Sequence, residues 1–176
     1  MKKLFFALAA MLFSFASFAQ ADVIYLHNGK TVTGTVAKVG EHTIVFKYMN
    51  EDVEQVLGKY AVDHIIFGKS GRQQDVTPKL HVYSEQDWEN VMIVENPDDI
   101  AGLVRVDEIR GKTAFINMHT GAGSDNSALR KIKKEAAGRG CAFVLITSEK
   151  EIDRKSYQGG SLGQVQSIKR GVCYGY

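Results

Sequence analysis

Proline and cysteine each occur only twice in the 176-residue chain, and tryptophan once. Two cysteines exclude a disulfide-dense mini-scaffold and a four-cysteine zinc site. An excess of one charge is also missing, with Lys+Arg at 22 and Asp+Glu at 20. A general nucleic-acid binder carries a clear basic excess, so this balance argues against one. No internal segment approaches the roughly 20 apolar residues of a membrane-spanning helix. There is no HExxH, no phosphate loop ending in Gly-Lys-Ser/Thr, and no G-x-S-x-G elbow. The motifs that usually carry chemistry therefore name no activity.

Much of the composition belongs to the first 21 residues. Five of the nine phenylalanines lie among residues 1–18. Lys2 and Lys3 precede an apolar run from Leu4 to Phe18, and Ala19-Gln20-Ala21 supplies a small-x-small cleavage site. This pattern predicts a secretory leader over 1–21 and a mature chain that begins at Asp22. Lys2 and Lys3 leave with the leader, so the mature chain has equal numbers of bases and acids. No cysteine follows the cleavage point to take a lipid. The expected address is periplasmic or secreted, with no transmembrane span after cleavage.

Residues 22–68 are predicted to form a small all-β unit. Asp22–His27, Lys30–Val39 and His42–Met49 alternate apolar and polar residues with β-branched enrichment. Asn28-Gly29 and Gly40-Glu41 are expected as two-residue hairpin turns. Val53–Leu57 and His64–Phe67 add two shorter strands. The run DVIYLHNGKTVTGTVAKVGEHTIVFKY with its closing DHIIF resembles SH3-like or Sm-like small barrels. Residues 69–79 are polar and contain Gly71 and Pro78, and read as a linker.

Residues 80–176 are predicted as an α+β unit of order β-β-β-α-β-β, with one main helix on an antiparallel sheet. Val91–Val94, Gly102–Ile109 and Lys112–Met118 are strand candidates. A Gly-rich loop over His119–Ser127 leads into a helix over Ser127–Arg139, whose buried stripe is Leu129, Ile132 and Ala136. Gly138 and Gly140 are candidate helix stops. Cys141–Thr147 reads as a continuous apolar strand, Glu149–Gly163 as a long polar loop, and Gln164–Tyr174 as the last strand. The segments ALRKIKKEAAGRGCAFVLIT and SIKRGVCYGY resemble a family of bacterial envelope proteins. That family includes the outer-membrane sensor lipoprotein of the Rcs stress pathway and related small domains, some described as heavy-metal-binding. The resemblance implies an envelope-sensing or binding role.

Cys141 and Cys173 are symmetric about Tyr157. A hairpin centred there would place them opposite one another, about 4.5–5.5 Å apart at Cα and within bridging range. A one-residue register shift would instead leave two buried thiols. The five histidines have no i,i+3 or i,i+4 spacing, so no metal site or cofactor is assigned. Ser124, Asp125 and Ser127 read as capping residues before the helix, against the alternative of a phosphate held at its N-terminus. Trp88 and Tyr83 are weighed as an aromatic contact against simple packing.

Charge is separated along the chain. Glu85, Asp87, Glu89, Glu95, Asp98 and Asp99 fall in a stretch with no base, whereas Arg130, Lys131, Lys133, Lys134 and Arg139 crowd the helix. The bland reading is a solvated face that complements the acidic stretch. The sharper one makes Arg130, Lys131 and Lys134 a contact for an envelope protein, a glycan or an anionic lipid headgroup. The chain is thus expected to be a non-enzymatic binding or sensing module that does not bind nucleic acid. The alternative is a small hydrolase or metal-handling protein with a site between the two units.

Overall fold

Alternating short runs build the first sheet, as the period-two pattern requires. The computed structural model describes residues 20–113, 121–154 and 164–176. Six strands form an antiparallel sheet of order β4-β3-β2-β1-β5-β6: β1 Asp22–Leu26, β2 Thr31–Val39, β3 Thr43–Tyr48, β4 Glu54–Gly58, β5 Val62–Ile66 and β6 Gln73–Asp75. Ile24, Ile44, Phe46, Val62 and Ile65 point to one side and form its core, with Leu26, Val32, Val36, Leu57 and Phe67 packed around them.

Both hairpin turns depart from expectation by one residue. His27 donates its N–H to Ala61 O (3.0 Å), which takes it out of the ladder. The β1–β2 connection is therefore the three residues His27-Asn28-Gly29, with Gly29 at φ +82°. Gly40 N–H pairs with Thr43 O (2.8 Å), so the second turn is Glu41-His42. The 69–79 stretch, expected as a linker, contributes β6, which pairs Gln73–Asp75 with His64–Ile66. Its polar composition hid an edge strand whose side chains remain solvated.

The second sheet has the order β7-β9-β10-β8, with β7 Met92–Val94, β8 Val104–Lys112, β9 Phe143–Arg154 and β10 Gln164–Gly175. β9, β10 and β8 are antiparallel, but β7 runs parallel to β9 (Ile93 opposite Val144). The chain returns from β7 to β9 only after β8 and the helix, and such a crossover allows parallel pairing. The fold is α+β, two mostly antiparallel sheets with one main helix. Expected strand residues 114–118 lie outside the described residues.

The helix α1 spans Gly121–Gly138, six residues longer at its start than predicted. Glycine is a weak helix former, but side chains of this first stretch are held by the sheet. Ser124 is fully buried, and Asp125 bonds Ser167 and Lys169 of β10. Ala128, Ile132, Ala136 and Ala137 face the sheet, and Leu129 is only half-buried. The helix lies so close to β8 that a Cβ on Gly111 would collide with the Ala128 carbonyl. α1 stops at Gly140 (φ +69°): Gly140 N–H bonds Ala137 O (2.9 Å) and Cys141 N–H bonds Ala136 O (3.0 Å). This is the Schellman arrangement, in which a left-handed residue satisfies the last carbonyls.

β9 runs on through Glu149–Arg154, where a polar loop was expected, because each of these residues has a partner on β10. Glu149 sits opposite Lys169, an opposite-charge pair that favours pairing.

The two sheets meet along a packed seam. Phe143, Val94 and Ala142 of the second sheet gather Tyr60 of the first, together with Leu80, Ile100, Leu103 and Tyr176. Gly58 N–H donates to Ala101 O (2.7 Å), and Leu80 N–H donates to the Tyr176 hydroxyl (2.9 Å).

Candidate functional site

Cys141 and Cys173 form a disulfide with a Cα separation of 5.8 Å, and both residues are fully buried beside Ile132, Ala136 and Val144. The expected route to this bridge was different. Cys173 stands opposite Val144 in the ladder, whereas Cys141 precedes β9. The α1 stop at Gly140 turns the chain so that Cys141 enters the core and meets Cys173 from outside the strand pairing.

The three helix residues predicted to meet a partner sit together on the outer face of α1, facing the 3-10 segment Glu85–Asn90. Each already has a partner within the chain. The Arg130 guanidinium stacks over Trp88 (4.9 Å to the ring centre). Lys131 Nζ donates to Lys112 O (2.9 Å), and Lys134 Nζ lies 3.8 Å from Glu85. One acid of the 80–104 stretch, Glu85, thus meets one helix base, Lys134, across this face.

The face is grooved. One depression of about 580 Å³ is lined by Glu85, Lys131, Lys134, Glu135, Gly138 and Arg139. Two more flank Trp88, one bordered by Ser84 and Lys134 and the other by Asn126, Arg130 and Lys133. Ser84 caps the 3-10 segment, and Asp87 reaches back to the N–H groups of Tyr83 and Ser84 (3.0 Å each). Those two donors hold the Asp87 carboxyl below its ordinary value. Tyr83 projects from the same corner at 81 % exposure. Trp88 is partly buried against the α1 core, so it both packs and lines the grooves.

A second concentration of charge lies under the N-terminal half of α1. Lys169 is 3 % exposed. Its Nζ donates to Glu149 (2.7 Å) and Asp125 (3.4 Å). Ser167 Oγ donates to the other Asp125 oxygen (2.6 Å), and Gln166 Nε2 donates to Thr113 O (2.6 Å). Burial alone would lower the Lys169 pKa, but the two carboxylates more than offset it and the net shift is upward. Asp125 is held low by the Ser167 hydroxyl and by Lys169, against some desolvation. The capping expectation for Ser124, Asp125 and Ser127 is thereby corrected. All three are inside α1, and Ser127 Oγ bonds Gly123 O one turn back (2.9 Å). Nothing local in the sequence signals this network, whose partners are separated by 20 to 53 positions.

Histidines are placed at and near the seam. His42 Nδ1 lies 3.1 and 3.2 Å from the two oxygens of buried Asp99. His27 is buried, with Nε2 3.2 Å from Thr77 Oγ1, and its carbonyl accepts from Lys79 Nζ (2.8 Å). Desolvation lowers the His27 pKa, Asp63 opposes it, and Lys79 adds to it. His64 pairs with Asp63, and His81 with Tyr83. Predicted loop residue His119 lies outside the described residues. Among the described residues, no group of three His, Cys, Asp or Glu side chains could hold a metal ion. Also among them, no helix is long and apolar enough to cross a membrane.

Comparison with known proteins returns no similarity: no family model, no curated protein and no solved structure matches the chain.

Proposed function

We propose that this chain is a non-enzymatic binding or sensing module of the bacterial envelope, exported by its 1–21 leader and working in the periplasm or outside the cell. In this reading the first sheet is a small SH3/Sm-like barrel, and the second unit is a binding domain of the architecture shared by the Rcs-type sensor domains, without their signalling contact carried over. The observation that carries the reading is the grooved basic face of α1. Arg130, Lys133 and Lys134 line the grooves around Trp88, opposite a short capped segment, and Lys131 lines the neighbouring one with Glu85 and Lys134. Shallow depressions fringed by cations suit a surface ligand bearing negative charge: an acidic face of an envelope protein, a glycan, or a lipid headgroup. They offer no enclosed chamber in which to hold a reacting group.

The test is capture of envelope components by the purified protein, with Lys131→Glu/Lys134→Glu as control. The reading expects binding that weakens with added salt and is lost in the charge-reversed form. Binding indifferent to both would remove it.

A second reading, a hydrolase or metal-handling site at the seam, has His42 in its favour. Buried Asp99 fixes Nδ1 of a half-exposed ring, the orienting half of an acid–base pair. Zinc titration of the wild type beside His42→Ala would support it only if the wild type alone binds.

A further inference from the structure

The sheet of the second unit has two faces, and only one carries α1. Lys169 of β10 reaches Asp125 of the helix, and a Cβ on Gly111 of β8 would meet the Ala128 carbonyl. Side chains alternate across a strand, so Arg110, Lys112, Ile168 and Arg170 lie on the other face. The first sheet covers one end of that face, where Phe143, Leu145 and Tyr174 pack with Tyr60. The other end is bare: Arg110, Lys112, Ser148, Lys150 and Arg170 are all exposed.

Register sets these residues in two rungs. Arg170 stands directly opposite Arg110 on one side and Ser148 on the other. Ile168, two residues back, stands between Lys112 and Lys150. The ladder is regular over both rungs, and its shifts fall beyond Arg170 and beyond Cys173. The four cations therefore span roughly 10 Å across three strands and roughly 7 Å along them. Glu149 and Glu151 stand opposite Lys169 and Ser167 and so take the helix side. The acid at the rim, Glu108, is held by Arg105 (2.6 Å). Among the described residues no carboxylate is ion-paired with Arg110, Lys112, Lys150 or Arg170. Like charges directly opposite one another destabilise a sheet, and no acid among the described residues offsets the Arg110–Arg170 pair. Just past this pair, Thr147 has no partner on β10, and a depression of about 510 Å³ lined by Arg110, Ser148, Arg170 and Val172 opens there. Such bulges recur beside functional sites.

We propose that this bare end of the sheet docks on a membrane surface through the phosphates of anionic lipids. Arg110 and Arg170 take one phosphate between them, for which the paired donors of a guanidinium are suited. Lys112 and Lys150 reach the headgroups on either side. A single free phosphate would leave the lysines unengaged, and exposed cations on an open face hold a small anion poorly. A lipid surface offers many phosphates at once, and the contributions of exposed bases then add. The site lies on the side of the sheet opposite α1, so it goes beyond the basic helix face and is tested apart from it.

The experiment is co-sedimentation of the purified protein with vesicles of phosphatidylcholine alone and of phosphatidylcholine mixed with phosphatidylglycerol. Wild type is expected on the mixed vesicles only, and less of it as salt is added. Each base near an anionic surface contributes about fivefold to partitioning, so Arg110→Gln/Arg170→Gln should bind about 25-fold more weakly. Lys112→Gln/Lys150→Gln should lose as much. Lys133→Gln/Lys134→Gln on α1 removes the same charge and should lose far less. Absence of wild-type binding overturns the proposal. A loss as large in the α1 variant as in the sheet variants also overturns it, since net charge is then the cause. Inorganic phosphate that stabilises wild type but not Arg110→Gln/Arg170→Gln, with no vesicle binding, overturns it in favour of a soluble anion. Relief of the repulsion means that Arg110→Gln/Arg170→Gln should melt no lower than wild type by circular dichroism. A lower melting temperature gives the arginine pair a structural role and overturns the argument.

Discussion

Breaking the Cys141–Cys173 bridge removes a constraint on the unfolded chain, and its size follows from the residues it encloses. The two cysteines are 32 positions apart. Loop-closure entropy for a ring of that length corresponds to about 3–4 kcal/mol at room temperature. For a protein of this size each kcal/mol moves the melting temperature by roughly 2–4 °C, so a drop of about 6–16 °C is expected. Both residues are fully buried, so a thiolate reductant reaches the bridge only when the core opens. In native buffer, reduction should therefore be slow and should accelerate in parallel with unfolding as denaturant is added. The assay is a thermal melt by circular dichroism of oxidised wild type, reduced wild type and Cys141→Ala/Cys173→Ala. It is accompanied by mass-spectrometric alkylation counts in denaturant with and without reductant. The reasoning fails if the count is the same in both cases. It also fails if all three forms melt within a degree or two of one another.

Two further outcomes concern the seam. His42→Ala leaves the buried Asp99 carboxylate without its imidazole partner, and a loss of about 1–3 kcal/mol is expected in chemical denaturation. Adding Asp99→Asn should recover part of that loss, and a neutral His42→Ala would refute the argument. The second outcome is pH dependence from His27, whose folded pKa is lowered. Below the ordinary histidine value of about 6.5 the unfolded chain takes up the proton more readily than the folded one. The contribution of His27 is therefore whole above that pH, falls as pH drops below it, and levels off once the folded ring also protonates. The urea midpoint should fall less steeply between pH 7 and 5 in His27→Gln than in wild type, and parallel slopes would count against the buried ring as the cause.

Local sequence decides the structure where one residue type suffices. Ile24, Ile44 and Phe46 line one side of the first sheet as their alternation demands, and Gly140 ends α1 as its position promised. Errors came where a distant partner overrode a local signal. His27 leaves its ladder for the Ala61 carbonyl, and the turn grows by a residue. Gly121 and Gly123 enter a helix because Asp125 is tied to β10. The basic face was visible as a charge run. That Trp88, Glu85 and the Lys112 carbonyl would each engage one of its cations was not, since those contacts join segments 19 to 49 positions apart.

The order of residues alone sufficed for the class of the fold, for most strands, for the existence of one amphipathic helix, and for a cysteine pair worth bridging. These depend on periodicity and turn chemistry, which act over a few neighbours. The packing of the chain decided the rest. It set β7 parallel to β9, turned an expected linker into β6, and brought Cys141 to Cys173 from outside the ladder. It also buried Lys169 between two carboxylates and set Arg110 opposite Arg170 on the bare face of the sheet. Each of these depends on which surfaces meet across long separations, and no local preference encodes that.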